Sequence, residues 1–246
     1  MSATLKIVED GDDLAARAAD MIVGVTAAAI QARGKAMLAL SGGTTPQTTY
    51  ALLAQSPRVG EIDWSRVFVF LTDERFVRAD SPESNFGMLQ RTLLAPAGAS
   101  HVFPVPTELS TPDAAASAYE ATLAHEFGVD DGREHPPRFD LILLGLGTDG
   151  HVASLFPGAA ALEAHDRWVV ASPPGSLPPL VERVTLTLPV LNAARAILFL
   201  VSGANKAAAL RGALEERPGG NRLPAARVHP ADGSVTWLVD AAASGQ

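Results

Sequence analysis

The sequence predicts an α/β fold, a mostly parallel sheet with helices on both faces. Three observations predict it. Short β-rich runs alternate with helical patterns almost from end to end. Some of those runs are apolar at every position, as strands buried on both faces are. The chain, 246 residues of which 47% are hydrophobic and 19% charged, is long enough and apolar enough to bury such a sheet, and too apolar for disorder.

In chain order, residues 13–33 carry Leu14, Ala18, Met21, Ile22, Val25, Ala29 and Ile30 on one helical face. Asp12 or Asp13 is expected to cap that helix and Gly34 to stop it. Residues 36–40 form the first buried strand, and Thr45-Pro46 starts a helix over 46–55. Residues 67–71 are the clearest strand. A helix over 85–94 and a short extended segment at 101–103 follow. Thr111-Pro112-Asp113 opens a helix with Ala116, Tyr119, Leu123 and Phe127 on one face. Residues 130–137 read as a loop. The βα rhythm resumes after it, so a single domain over 1–246 is expected. Strands follow at 141–144 and 168–171, then a proline-rich loop at 172–179. Val184, Leu186 and Leu188 alternate with Arg183, Thr185 and Thr187, which predicts a strand with one polar face. A strand at 197–201, a helix over 205–216 and a strand at 235–239 complete the chain. No internal repeat is visible.

Composition removes several classes of function. There is no cysteine, so thiolate metal sites, disulfides and cysteine nucleophiles are excluded. With 19 Lys and Arg against 27 Asp and Glu, the net charge of -8 argues against nucleic-acid or membrane binding. The first residues carry no apolar signal segment, and no apolar run approaches the ~20 residues of a membrane helix. A cytoplasmic protein is expected, with no evident obligate protein partner. The histidines lack ligand spacing, so no metal site is expected.

In parallel sheets ligands bind beyond the carboxyl ends of the strands, and four strand ends carry polar clusters. Ser41-Gly42-Gly43-Thr44-Thr45-Pro46 has more glycine and hydroxyl than a βα turn needs, and suits a phosphate cradle at a helix N-terminus. Thr72-Asp73-Glu74-Arg75 suits either a solvated, salt-bridged loop or a site where Arg75 grips a phosphate or a developing oxyanion beside Asp73, an orienting or acid-base carboxylate. Gly145-Leu146-Gly147-Thr148-Asp149-Gly150-His151 contains a literal dinucleotide fingerprint. Pro157-Gly158 cuts short the helix such a fingerprint requires, and no acidic residue ends the next strand. The loop instead delivers Asp149 and His151 to the strand end, and histidine suits proton transfer near neutral pH. Lys206 lies in the first turn of a helix, opposed to its dipole, which makes sense if both serve one anion. Arg183 is a further cation.

These motifs, with Ser84-Asn85-Phe86-Gly87, the tail Ser154-Leu155-Phe156-Pro157-Gly158, Arg183-Val184-Thr185-Leu186-Thr187 and Gly203-Ala204-Asn205-Lys206, stand in the order seen in the 6-phosphogluconolactonase family, which the chain resembles from about residue 5 to residue 240. The resemblance implies a Rossmann-like fold shared with glucosamine-6-phosphate deaminases, ribose-5-phosphate isomerases and CoA transferases. It implies cofactor-free hydrolysis of 6-phospho-D-glucono-1,5-lactone, the second step of the oxidative pentose phosphate pathway. It implies His151 as general base, Asp149 as the residue fixing the loop or the imidazole, and Arg75, Arg183 and Lys206, with the backbone of Ser41, Gly42, Gly43 and Thr44, as phosphate ligands. Asp73 is expected in the substrate site, and Arg75 also at the carbonyl oxyanion. Deaminases carry a phenylalanine-asparagine-glutamate-proline tail, and this chain has no carboxylate in that stretch. Sugar-phosphate sensors of the same fold carry a preceding DNA-binding module, which is not seen ahead of the first βα unit here.

Overall fold

The computed structural model describes residues 3–129, 135–176, 178–215 and 223–246. Positions 130–134 of the expected loop, 177 of the proline-rich loop and 216 at the end of the last long helix lie outside the described residues.

Seven strands make the main sheet: β1 (Thr4–Val8), β2 (Ala36–Leu40), β3 (Val67–Leu71), β5 (His101–Phe103), β6 (Leu141–Gly145), β9 (Ala196–Val201) and β10 (Ser234–Asp240). Their order is β1-β10-β9-β6-β2-β3-β5, and every neighbouring pair is parallel. A separate antiparallel sheet joins β4 (Asp73–Arg75), β8 (Arg183–Leu186) and β7 (Val169–Ser172) in the order β4-β8-β7. The helices are α1 (Gly11–Arg33), α2 (Thr44–Leu53), α3 (Asn85–Leu89), α4 (Ala95–Ala97), α5 (Pro112–Phe127), α6 (Leu188–Leu191), α7 (Ala207–Leu214) and α8 (Ala241–Ser244).

Because side chains alternate along a strand, each central strand feeds two cores. Met37 and Ala39 of β2 and Phe70 of β3 join Tyr119, Phe139, Phe199 and Trp237 on one face. Leu38 and Leu40 of β2 and Val69 and Leu71 of β3 join Leu14, Ile22 and Tyr50 on the other. The chain leaves β2 towards β3 and β5 on one side, then returns to lay β6, β9 and β10 on the other. The loops after β2 and β6 therefore diverge and open a crevice between them.

Several expectations need correction. The cap of α1 is Asp10, whose carboxylate accepts from the N–H groups of Asp12 and Asp13. Those two acids lie in the first turn, where they complement the helix dipole. The helix expected over 85–94 is α3 followed by a π-helical stretch, Gln90–Leu94. The helix expected from 205 begins as a 3₁₀ turn, Ala204–Lys206, ahead of α7. The strand at 183–186 stops before Thr187, which precedes α6, and its polar residues Arg183 and Thr185 are both buried. Thr72-Asp73-Glu74-Arg75 is no loop, because Asp73–Arg75 is β4. The sequence reading also missed β1.

Candidate active site

A cleft of about 420 Å³ lies beyond the carboxyl ends of β2, β6 and β9. Ser41, Gly42, Gly43, Thr44, Asp73, Arg75, His151, Arg183 and Lys206 all line it. Asp149 stands behind them, bonded to His151. Every residue singled out from the sequence is thus brought to one place.

The floor is the turn after β2. Gly43, at φ 111°, precedes α2, and no side chain caps that helix, so its first N–H groups face the cleft unclaimed by a cap. The buried Ser41 hydroxyl has no partner among the described residues, while its carbonyl is held by the Tyr50 hydroxyl at 2.8 Å.

One wall is the turn after β6. The Gly147 N–H donates to the His151 carbonyl at 2.9 Å, which folds the loop back on itself. The Asp149 carboxylate accepts the His151 N–H at 3.1 Å and lies 2.5 Å from Nδ1. Nδ1 therefore carries the proton in the neutral ring, and the Nε2 lone pair is left available. Burial pushes the Asp149 carboxyl up, but the hydrogen bonds and charge of His151 outweigh it and hold the carboxyl below its usual range. A Cβ on Gly147 would collide with both members of this pair, so the loop needs glycine there for close approach. Ala153 follows at φ 47°, a strained conformation for a residue with a side chain. Ser154 clamps the segment: its hydroxyl donates to Asp73 at 2.6 Å, its N–H to Thr185 at 3.1 Å, and its carbonyl accepts from Ser172 at 2.7 Å.

The opposite wall is the small sheet. Arg75 and Arg183 stand directly across the β4–β8 ladder. Like charges so placed repel, and an anion between them relieves this. Burial lowers the pKa of Arg183, Asp73 raises it and Arg75 lowers it again. Arg75 donates to the Glu83 carbonyl at 2.7 Å, and its buried Nε has no partner among the described residues. Arg183 is tethered to the carbonyls of Val181 and Pro179. Glu74 points away from the cleft: it accepts from the N–H groups of Arg75, Asn85 and Phe86 and so anchors the start of α3.

Lys206 closes the site from the end of β9. Asp240, the last residue of β10, holds the turn before it by accepting from the Ser202 hydroxyl at 2.6 Å and the Gly203 N–H at 3.1 Å. Burial lowers the Lys206 pKa, and Asp149 partly opposes this.

Asn85, Asn205 and Phe156 were given no role from the sequence. Asn85 and Asn205 line the cleft, and the Phe156 ring lies 4.8 Å from that of His151. Each sits in a motif that the resemblance brought forward, but residue type alone gave none of them a task. Among the described residues no group of three His, Cys, Asp or Glu is placed to hold a metal, and no helix is long and apolar enough to cross a membrane.

The family model described as glucosamine-6-phosphate isomerases/6-phosphogluconolactonase matches residues 9–237. A 6-phosphogluconolactonase of Synechocystis is 40% identical over 214 residues, covering 86% of this chain and 85% of that protein. Among solved structures, 6-phosphogluconolactonase from Trypanosoma cruzi superposes with a TM-score of 0.88 at 30% identity, over 100% of this chain and 97% of its own. A monomeric glucosamine-6-phosphate deaminase, 22% identical with a TM-score of 0.79 over 98% of this chain and 99% of its own, shares the fold.

Proposed function

The chain belongs to the glucosamine-6-phosphate isomerase/6-phosphogluconolactonase family, and from that premise we infer that it is a 6-phosphogluconolactonase, converting 6-phospho-D-glucono-1,5-lactone and water to 6-phosphogluconate in the oxidative pentose phosphate pathway. The observation that carries this reading is the convergence on one cleft of a carboxylate-held histidine with a free Nε2, three cations and an open helix N-terminus.

Our reading of the chemistry follows from those groups. The cradle of Ser41 to Thr44, with Lys206 and Arg183, takes the 6-phosphate. His151 Nε2 removes a proton from water as its oxygen bonds to the lactone carbonyl carbon. Asp149 stabilises the imidazolium that forms. The carbonyl oxygen becomes an oxyanion, which we assign to Arg75 because its buried Nε meets no acceptor among the described residues. As the carbonyl re-forms, the bond to the ring oxygen breaks and His151 returns its proton there. The product carboxyl then ionises. Residues 1–246 act as one unit on this reading. A doubly charged phosphate does not cross a bilayer unaided, so we place the enzyme in the cytoplasm with its substrate.

Freshly prepared lactone tests the reading. Disappearance well above the spontaneous rate is expected, and the unphosphorylated lactone should be a poor substrate. Binding of sugar phosphates without turnover would instead mean a sensor. Deaminase activity is disfavoured by Phe156, which puts an apolar ring beside His151 in a tail that has no carboxylate. Ammonia released from glucosamine 6-phosphate would contradict that.

A further inference from the structure

The cleft is rich in donors for an anion. Arg75, Arg183, Lys206 and the turn after β2 all offer N–H groups. A lactone ring also carries hydroxyls at carbons 2, 3 and 4, and these need acceptors of their own. Asp73 is one, already engaged by Ser154 and by Thr72 at 3.2 Å. Another is Asn85.

Asn85 is buried, 2% exposed, at the first position of α3. Its main chain is pinned, with the N–H donating to Glu74 at 2.8 Å. Its side chain is oriented as well: Nδ2 donates to the Asp73 carbonyl at 2.9 Å. That bond fixes which way the amide points, because an oxygen turned to a carbonyl would meet only another acceptor. Oδ1 is thereby turned towards Gly42. It packs so closely there that a Cβ on residue 42 would collide with it. No donor among the described residues reaches Oδ1 by hydrogen bond, and Asn85 lines the cleft.

We propose that Asn85 is a specificity-determining residue whose Oδ1 accepts a hydrogen bond from one ring hydroxyl of the substrate, reading the sugar while the cations read the phosphate. Gly42 serves both tasks, leaving its backbone free for the phosphate and vacating the space Oδ1 occupies. This rests on the lactonase reading and adds to it the group that selects a hydroxylated ring. A site with a committed acceptor rejects an analogue lacking the matching hydroxyl far more strongly than it rejects a small apolar change.

The test compares wild type with Asn85→Ala on 6-phosphogluconolactone and on its 2-deoxy, 3-deoxy and 4-deoxy forms, with inorganic phosphate binding as the check on fold and cradle. Asn85→Ala is expected to lower kcat/KM on the full lactone by about ten-fold or more, with phosphate affinity unchanged. On one deoxy lactone the two enzymes should become equal, because the variant has already lost that contact. A variant within two-fold of wild type on the full lactone overturns the proposal. So does a wild-type-to-variant ratio that is the same on all three deoxy lactones, which is how a merely structural residue behaves. If Asn85→Ala also loses phosphate binding, Asn85→Ser is judged by the same ratios. A wild type that leaves the full lactone at its spontaneous rate refutes the lactonase reading itself, a separate outcome visible before any variant is compared.

Discussion

His151 was legible in the sequence because its partner, Asp149, is two residues away and both follow a strand. A pair that close needs only a local turn. His151→Ala should lose at least ~10²-fold in kcat, since a positioned base contributes about that much or more. It should still bind 6-phosphogluconate, because the phosphate is held elsewhere. A folded variant with near-native kcat would remove His151 from the mechanism. Lys206 supplies a prediction in pH. Burial disfavours its ammonium, so the proton leaves below the ordinary lysine value of 10.5, and one phosphate ligand is lost as pH rises. Affinity for 6-phosphogluconate, followed by calorimetry, should therefore weaken on the alkaline side earlier than an ordinary lysine would dictate. Lys206→Arg should flatten that decline, as guanidinium keeps its proton. An unchanged profile would detach Lys206 from the anion. The task of Asn85 was not legible, because it depends on Gly42 and Asp73, which only the fold brings beside it.

At the scale of elements, the long apolar strands and the capped helices were readable because their signals are local. Thr111 caps α5 through its hydroxyl at 3.1 Å, as the Thr-Pro-Asp start implied. β4 was not readable. Three residues cannot display a period of two, and its charged sequence looks like a loop. Yet β4 and β8 are what set Arg75 against Arg183. The like charges repel across that ladder, so an anion bound between them should stabilise the fold. Inorganic phosphate at one fixed concentration, a hundred times its dissociation constant for the wild type, is worth about 2.7 kcal/mol there by mass action, and Tm should rise accordingly. The rise should shrink in Arg75→Ala and in Arg183→Ala. Equal rises in all three proteins would separate the ladder from the anion. The turn after β6 gives a companion prediction. Gly147→Ala drives a methyl group into the His151–Asp149 pair, and kcat should fall at least ten-fold (about 1.4 kcal/mol), with 6-phosphogluconate still bound. Native-like turnover would mean the loop tolerates what its geometry forbids.

For the whole molecule, alternating strands and helices implied a parallel sheet, because a right-handed crossover returns each strand in the same direction. The order of the strands was not implied, since periodicity says nothing about neighbours. β1 escaped notice for a related reason: an edge strand with Leu5 45% and Ile7 43% exposed lacks the buried signature of the others. Chemistry resting on one histidine and three cations needs no divalent ion, so dialysis against EDTA should leave the rate unchanged. Loss of activity restored by a metal would contradict the mechanism. The place of β1 has a consequence for how the chain is made. Synthesis runs from the N-terminus, at about 5–20 residues per second. Thr4–Val8 is delivered early, but its one partner strand among the described residues, β10, ends at Asp240. β1 is therefore made long before β10, the strand it pairs with. Asp240 also fastens the turn that presents Lys206. A nascent chain stalled short of residue 234 already contains every residue that lines the cleft and still lacks Asp240, the latch on the turn before Lys206.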